Sequence, residues 1–246
     1  MEGNLESTKT EEKKFDKTYN TKETPLAWLL LQIASIWIIS DVGYYIFLPA
    51  LGFKGGFIAN PFVITIYYLF WLAITVFTFW NIYSEWKTIE RKRISTYIFL
   101  FIGSAAIVFY FTYVLPHFPA ISWYKPIKPP SELLLATPWY FLPKSIDILM
   151  QQLLIVAMIL SFSFQKFSLR AISTWCATLY GGAHLFLIFG GETLLYTAVF
   201  TISAFLAALC FPYLILRVKN GFVYSYFLHW SFYAVIVVLV HIIFKV

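Results

Sequence analysis

The sequence predicts an all-α, polytopic membrane helix bundle of about seven transmembrane helices, on three observations. Seven stretches stay apolar over the ~20 residues that a helix needs to cross roughly 30 Å of hydrocarbon. Apolar residues make up 60% of the 246-residue chain and charged residues 12%, against about 25% charged in a soluble domain. The few charges gather at the ends of the apolar stretches, and mean hydropathy is +0.74. A bilayer is the solvent that suits such a chain.

Residues 1–24 are polar, with five lysines against six acids, a composition that predicts a short disordered tail. Residues 25–246 then form a single transmembrane domain. The first apolar run is too long for a signal-peptide core and lacks a small-residue cleavage site, so it reads as a retained span. The seven spans fall at 25–51, 61–83, 94–115, 139–164, 169–189, 194–216 and 222–244. With the tail in the cytoplasm, thirteen basic residues lie inside: Lys9, Lys13, Lys14, Lys17, Lys22, Lys87, Arg91, Lys92, Arg93, Lys166, Arg170, Arg217 and Lys219. Only Lys54, Lys125, Lys128, Lys144 and Lys245 fall outside. That asymmetry predicts a cell-membrane protein with its amino terminus in the cytoplasm and its carboxyl terminus outside.

The one long connection, 117–143, carries Pro119, Pro126, Pro129, Pro130, Pro138 and Pro143, which forbid a continuous helix. Within it, 131–136 with Trp139 and Tyr140 predicts an interfacial turn of helix anchored by aromatics, or a plain loop on the headgroups. Seven aromatics crowd positions 222–233, more than a lipid belt requires, so that stretch predicts a cavity wall or tight helix packing. No internal repeat is present, which leaves inverted-repeat transporter architectures without support.

The formal charge of +6 does not imply nucleic acid, because the basic residues sit where topology signals belong and form no basic face. Cys176 and Cys210 lie inside apolar segments and read as small packing residues. The expected partners are the lipid bilayer and a membrane peptide or protein.

Ionisable groups within spans are costly and usually face an interior cavity. They are Asp41, Asp147, His184, His229 and His241, joined by the amides Gln151 and Gln152. The adjacent glutamines point about 100° apart and cannot both face lipid, which favours hydrogen bonds between helices. His184 follows Tyr180 by one turn, across Gly181 and Gly182, two glycines that let another backbone approach. Tyr233 follows His229 by one turn on the same face. Counting from the inner ends of the spans places Gln151, His184 and His229 in one central band. Two histidines with no Glu or Cys beside them do not complete a zinc shell, so no metal and no cofactor is expected.

The order of these positions resembles the CAAX-processing and bacteriocin-immunity family of intramembrane proteases. That family carries EExxxR, FxxxH and HxxxN or HxxxD on successive core helices. Here Tyr180-Gly-Gly-Ala-His184 is similar to the second motif, and His229-Trp-Ser-Phe-Tyr233 to the third. The stretch from Leu214 to Phe222, with Arg217 and Asn220-Gly221, is similar to the basic turn before it. Gln151-Gln152 through Val156 stands where the first motif belongs. The likeness covers roughly 147–234, within a family-like core at about 139–244. The first three spans carry no motif.

The resemblance implies glutamate-dependent peptide hydrolysis inside the membrane. By position, Gln151 stands for the glutamate that activates water together with the first histidine, His184. His229 and Tyr233 stand for the pair that stabilises the oxyanion. The departures bear on activity. A primary amide accepts no proton near neutral pH, so Gln151 is no general base, and Val156 replaces the arginine of the same motif. Three readings follow. The chain is a proteolytically inactive scaffold or binding homologue, an active endopeptidase that uses Asp147 one turn before Gln151, or an unrelated seven-span permease or assembly factor.

Overall fold

A computed structural model describes residues 24–86, scattered positions between 98 and 117, 139–189 and 193–244. Every described element is helical. Among the described residues, five helices are long and apolar enough to cross a membrane: α1 (Leu26–Ala50), α3 (Pro61–Thr78), α5 (Phe141–Phe164), α6 (Leu169–Ile188) and α7 (Leu194–Arg217). Short helices α2 (Gly56–Ala59) and α4 (Trp80–Glu85) flank α3, and α8 (Gly221–Phe244) closes the chain with 24 residues. The expected tail, the interfacial turn at 131–136 and most of the span at 94–115 lie outside the described residues, as does the side chain of His241. The described helices thus bear out the helical membrane bundle.

α5 is the axis of the bundle. In its most apolar window 72% of residues are buried, against 17–33% in the other four candidate spans. It packs against α1, α3, α6, α7 and α8. The residues that bury it run round the whole helix, from Ile148 and Met150 through Leu154–Ile159, as expected of a helix enclosed by others.

Polar ties at defined heights hold the neighbours to this axis. Tyr83 donates to the Leu153 carbonyl at 3.0 Å, which fixes α4 to mid-α5. On the other side, Tyr226 donates to the Ser145 carbonyl at 3.1 Å and the Trp230 indole to the Ser145 hydroxyl at 2.9 Å. Gln152 donates to Ser225 at 2.9 Å. α8 is therefore clasped to α5 by three hydrogen bonds at two levels, Ser145 and Gln152, and the aromatic crowding at 222–233 is in part this clasp. In hydrocarbon nothing else would satisfy these groups.

Two tight turns bring α5, α6, α7 and α8 together. α5 ends with Lys166 in the left-handed region at φ 61°. Its amide donates to Ser163 and the next amide to the Phe162 carbonyl, a Schellman closure. Ser168 then caps α6 by accepting from the Ala171 amide. Between α7 and α8, Asn220 takes φ 57°, and a Cβ on Gly221 would run into the Leu214 carbonyl oxygen. That conflict requires the Asn-Gly pair of the basic turn.

α6 is irregular where it matters. A regular helix to Cys176 gives way to a π turn at Ala177–Gly181 and then a 3₁₀ segment at His184–Ile188. Such wide turns recur at functional positions. Gly181 faces α7 so closely that a Cβ would lie 2.8 Å from the Phe205 Cα, whereas around Gly182 nothing stands within 4 Å. Of the two glycines flagged for close approach, only the first makes one. Gly181→Ala should therefore destabilise the protein by about 1–3 kcal/mol through overpacking. Gly182→Ala should stabilise it by about 0.5–1 kcal/mol through helix propensity. Unfolding in mixed detergent micelles measures both.

Candidate functional site

Tyr180, presented by the π turn, is the organiser of the site. Its ring is 3% exposed and its two polar groups each hold one histidine. The hydroxyl meets His229 Nε2 at 3.0 Å. The backbone carbonyl meets His184 Nδ1 at 2.8 Å. Ring centroids lie 4.9 Å from His184 and 5.9 Å from His229, so one tyrosine is wedged against both imidazoles.

These contacts constrain the protons. A carbonyl only accepts, so His184 Nδ1 carries a hydrogen and Nε2 keeps the lone pair. His229 is 4% exposed, and its Nδ1 has no hydrogen-bond partner among the described residues. Tyr233 lies beside it, with centroids 5.9 Å apart. A cavity of about 20 Å³, room for one water-sized molecule, opens between α6, α7 and α8. It is lined by Tyr180, His184, His229, Phe232 and Tyr233, with Ser203, Ala204 and Ala207 leaving the space on the α7 side.

The fold thus brings together four of the positions singled out in the sequence: Tyr180, His184, His229 and Tyr233. The first-motif positions are elsewhere. Gln151, Gln152, Val156 and Asp147 are not among the residues lining the cavity. Gln152 serves the α5–α8 clasp, and Val156 is fully buried apolar packing. Gln151 turns back along its own helix and donates to Asp147 Oδ1 at 2.8 Å.

The other oxygen of Asp147 is taken by Lys144, whose Nζ stands 2.7 Å from Oδ2. Both side chains are almost fully buried, at 4% and 3% exposed. The same ammonium lies 4.2 Å from the centre of the Tyr233 ring and 5.2 Å from that of Phe57, within cation–π range. Lys144 therefore joins two groups. It neutralises Asp147 on its own helix and touches the far face of the tyrosine that borders His229. Asp41 on α1, half-buried, is within electrostatic reach of the pair.

Sequence reasoning treated Lys144 as an outer topology charge and did not single out Ser145, Ser203 or Ser225. The i,i+3 spacing of Lys144 and Asp147, followed by Gln151 at i+4 from the acid, was a readable signal for a pair on one helix face. The serines carried none.

No protein-family model, curated protein or solved structure matches the chain.

Removing one member of a buried ion pair leaves the other charged and unpaired. Lys144→Met or Asp147→Asn alone should each cost about 3–5 kcal/mol, while Lys144→Met with Asp147→Leu should recover most of the loss. A thermal or denaturant unfolding cycle in micelles measures the coupling. Equal losses in the single and double variants would mean that the pair contributes no such coupling.

Proposed function

We propose that the chain is a membrane scaffold or binding protein that keeps the frame of an intramembrane protease and cleaves nothing. Its ligand class is a membrane-embedded peptide or protein segment, received by the α5–α8 core. The single observation that carries the reading is the occupation of Asp147. Peptide hydrolysis at His184 and His229 requires a group that takes a proton from water. Among the described residues, no carboxylate lines the histidine cavity. Asp147, the carboxylate one turn before Gln151, has one oxygen on Lys144 and the other on Gln151. An amide at 151 cannot substitute for it, because its acidity and basicity lie far outside the neutral range.

The absence of an arginine at 156 fits the same reading. A buried arginine without its glutamate would be an uncompensated ion in hydrocarbon, and Val156 fills the position with apolar volume instead. The oxyanion-side groups, His229 and Tyr233, persist because they pack: Tyr233 lies on the Lys144 ammonium and His229 on Tyr180. We further read the chain as seven spans with the amino terminus in the cytoplasm and the carboxyl terminus outside the cell membrane, on the distribution of its basic residues.

Purified protein in liposomes, given a panel of membrane-spanning and prenylated peptides, should produce no cleavage above that of empty liposomes. His184→Ala should leave that background unchanged. Cleavage that disappears in His184→Ala would overturn the proposal, and its further loss in Asp147→Asn would identify Asp147 as the base. For the topology, a reporter fused after Asn220 should read as cytoplasmic and one fused after Val246 as external. A cytoplasmic carboxyl-terminal reporter contradicts the seven-span reading.

A further inference from the structure

We propose that the cavity between α6, α7 and α8 is a site for a single copper(I) ion, held by Nε2 of His184 and Nδ1 of His229. The inference does not depend on whether the protein cleaves peptides.

Four observations lead to it. Both imidazoles line the same cavity of about 20 Å³. His184 presents Nε2 as a lone pair, because its Nδ1–H is committed to the Tyr180 carbonyl at 2.8 Å. That arrangement, one ring nitrogen bonded to a backbone carbonyl and the other left to ligate, is characteristic of metal-binding histidine. His229 has the matching arrangement. Its Nε2 can donate to the Tyr180 hydroxyl at 3.0 Å, which leaves Nδ1 a lone pair, and that atom is buried without a partner among the described residues. A buried polar atom left unpaired is destabilising, and a bound ion removes that cost.

Charge selects the ion. No group of three or more His, Cys, Asp or Glu that could hold a metal occurs among the described residues, so a four-coordinate zinc shell is not available. The ligands are neutral, and the Lys144 ammonium on the Tyr233 ring is balanced by Asp147, so that pair supplies no net charge to offset the burial of a cation. The desolvation penalty of an ion rises with the square of its charge. A divalent ion is therefore disfavoured. A monovalent d¹⁰ ion, content with two imidazole nitrogens, is not.

The test uses the full chain in detergent, carrying Cys176→Ser and Cys210→Ser because thiols are strong copper(I) ligands. Copper(I) is titrated anaerobically against a chromophoric chelator. One equivalent should be retained. His184→Ala and His229→Ala should each abolish retention, while Tyr180→Phe, which removes only the hydroxyl behind His229, should weaken it by about 10–100-fold. Zinc(II) should bind less tightly than copper(I). Failure of the cysteine-free protein to retain copper(I) overturns the proposal without reliance on any histidine variant. Undiminished retention in both histidine variants, or zinc bound more tightly, overturns it as well.

Discussion

A lysine and an aspartate held 2.7 Å apart inside a helix bundle constrain everything around them. Neither ion could remain in hydrocarbon alone, so each fixes the rotamer of the other, and both fix the first turns of α5. Gln151 completes the shell of Asp147, and the rings of Tyr233 and Phe57 complete that of Lys144. Through Tyr233 the pair reaches α8 and the histidines. Through Phe57 it reaches α2. The polar interior thus divides into a saturated ion pair on α5 and an unsaturated pair of imidazoles between α6, α7 and α8.

Tyr180 is the hinge of the second half. Its side chain and its backbone each address a histidine, the carbonyl serving the side chain one turn on as the Phe141 and Ala157 carbonyls serve serines in α5. The π turn at Ala177–Gly181 and the 3₁₀ segment that begins at His184 flank this contact. Gly181, pressed against Phe205 of α7, holds the distorted turn in place. Backbone irregularity and small-residue packing act together here to orient two imidazoles toward one small space. Among the described residues no carboxylate lines the space, and a carboxylate there is what would separate the reading as a hydrolase from the reading as a binding protein.

Much of the fold was legible in the sequence because hydrocarbon imposes a length and a composition. Described span ends at α1, α5, α6, α7 and α8 fall within about two residues of the apolar stretches. The second stretch, read as continuous to 83, is broken at Phe79 into α3 and α4. No Gly or Pro marked that break. In the site, His184, His229, Tyr180 and Tyr233 were legible because an ionisable group in a span carries a cost that must be met by a neighbour. Gln151 was misleading. A count of rise per residue gives its height but not its direction, and the direction was decided by Asp147, one turn earlier on the same face. Lys144 hid for a related reason: near a span end it has the appearance of a topology signal, and only the packing of Phe57 and Tyr233 over it shows that it is interior.

The direction in which Asp147 points decides between a silent and a working centre. Dipolar recoupling between ¹³Cγ of aspartate and side-chain ¹⁵N, in lipid-reconstituted protein with Asp147→Asn to assign the signal, measures it directly. A strong coupling of Asp147 to the Lys144 ammonium nitrogen, with none to an imidazole nitrogen, is the expected result. A coupling of Asp147 to the His184 ring would contradict the account.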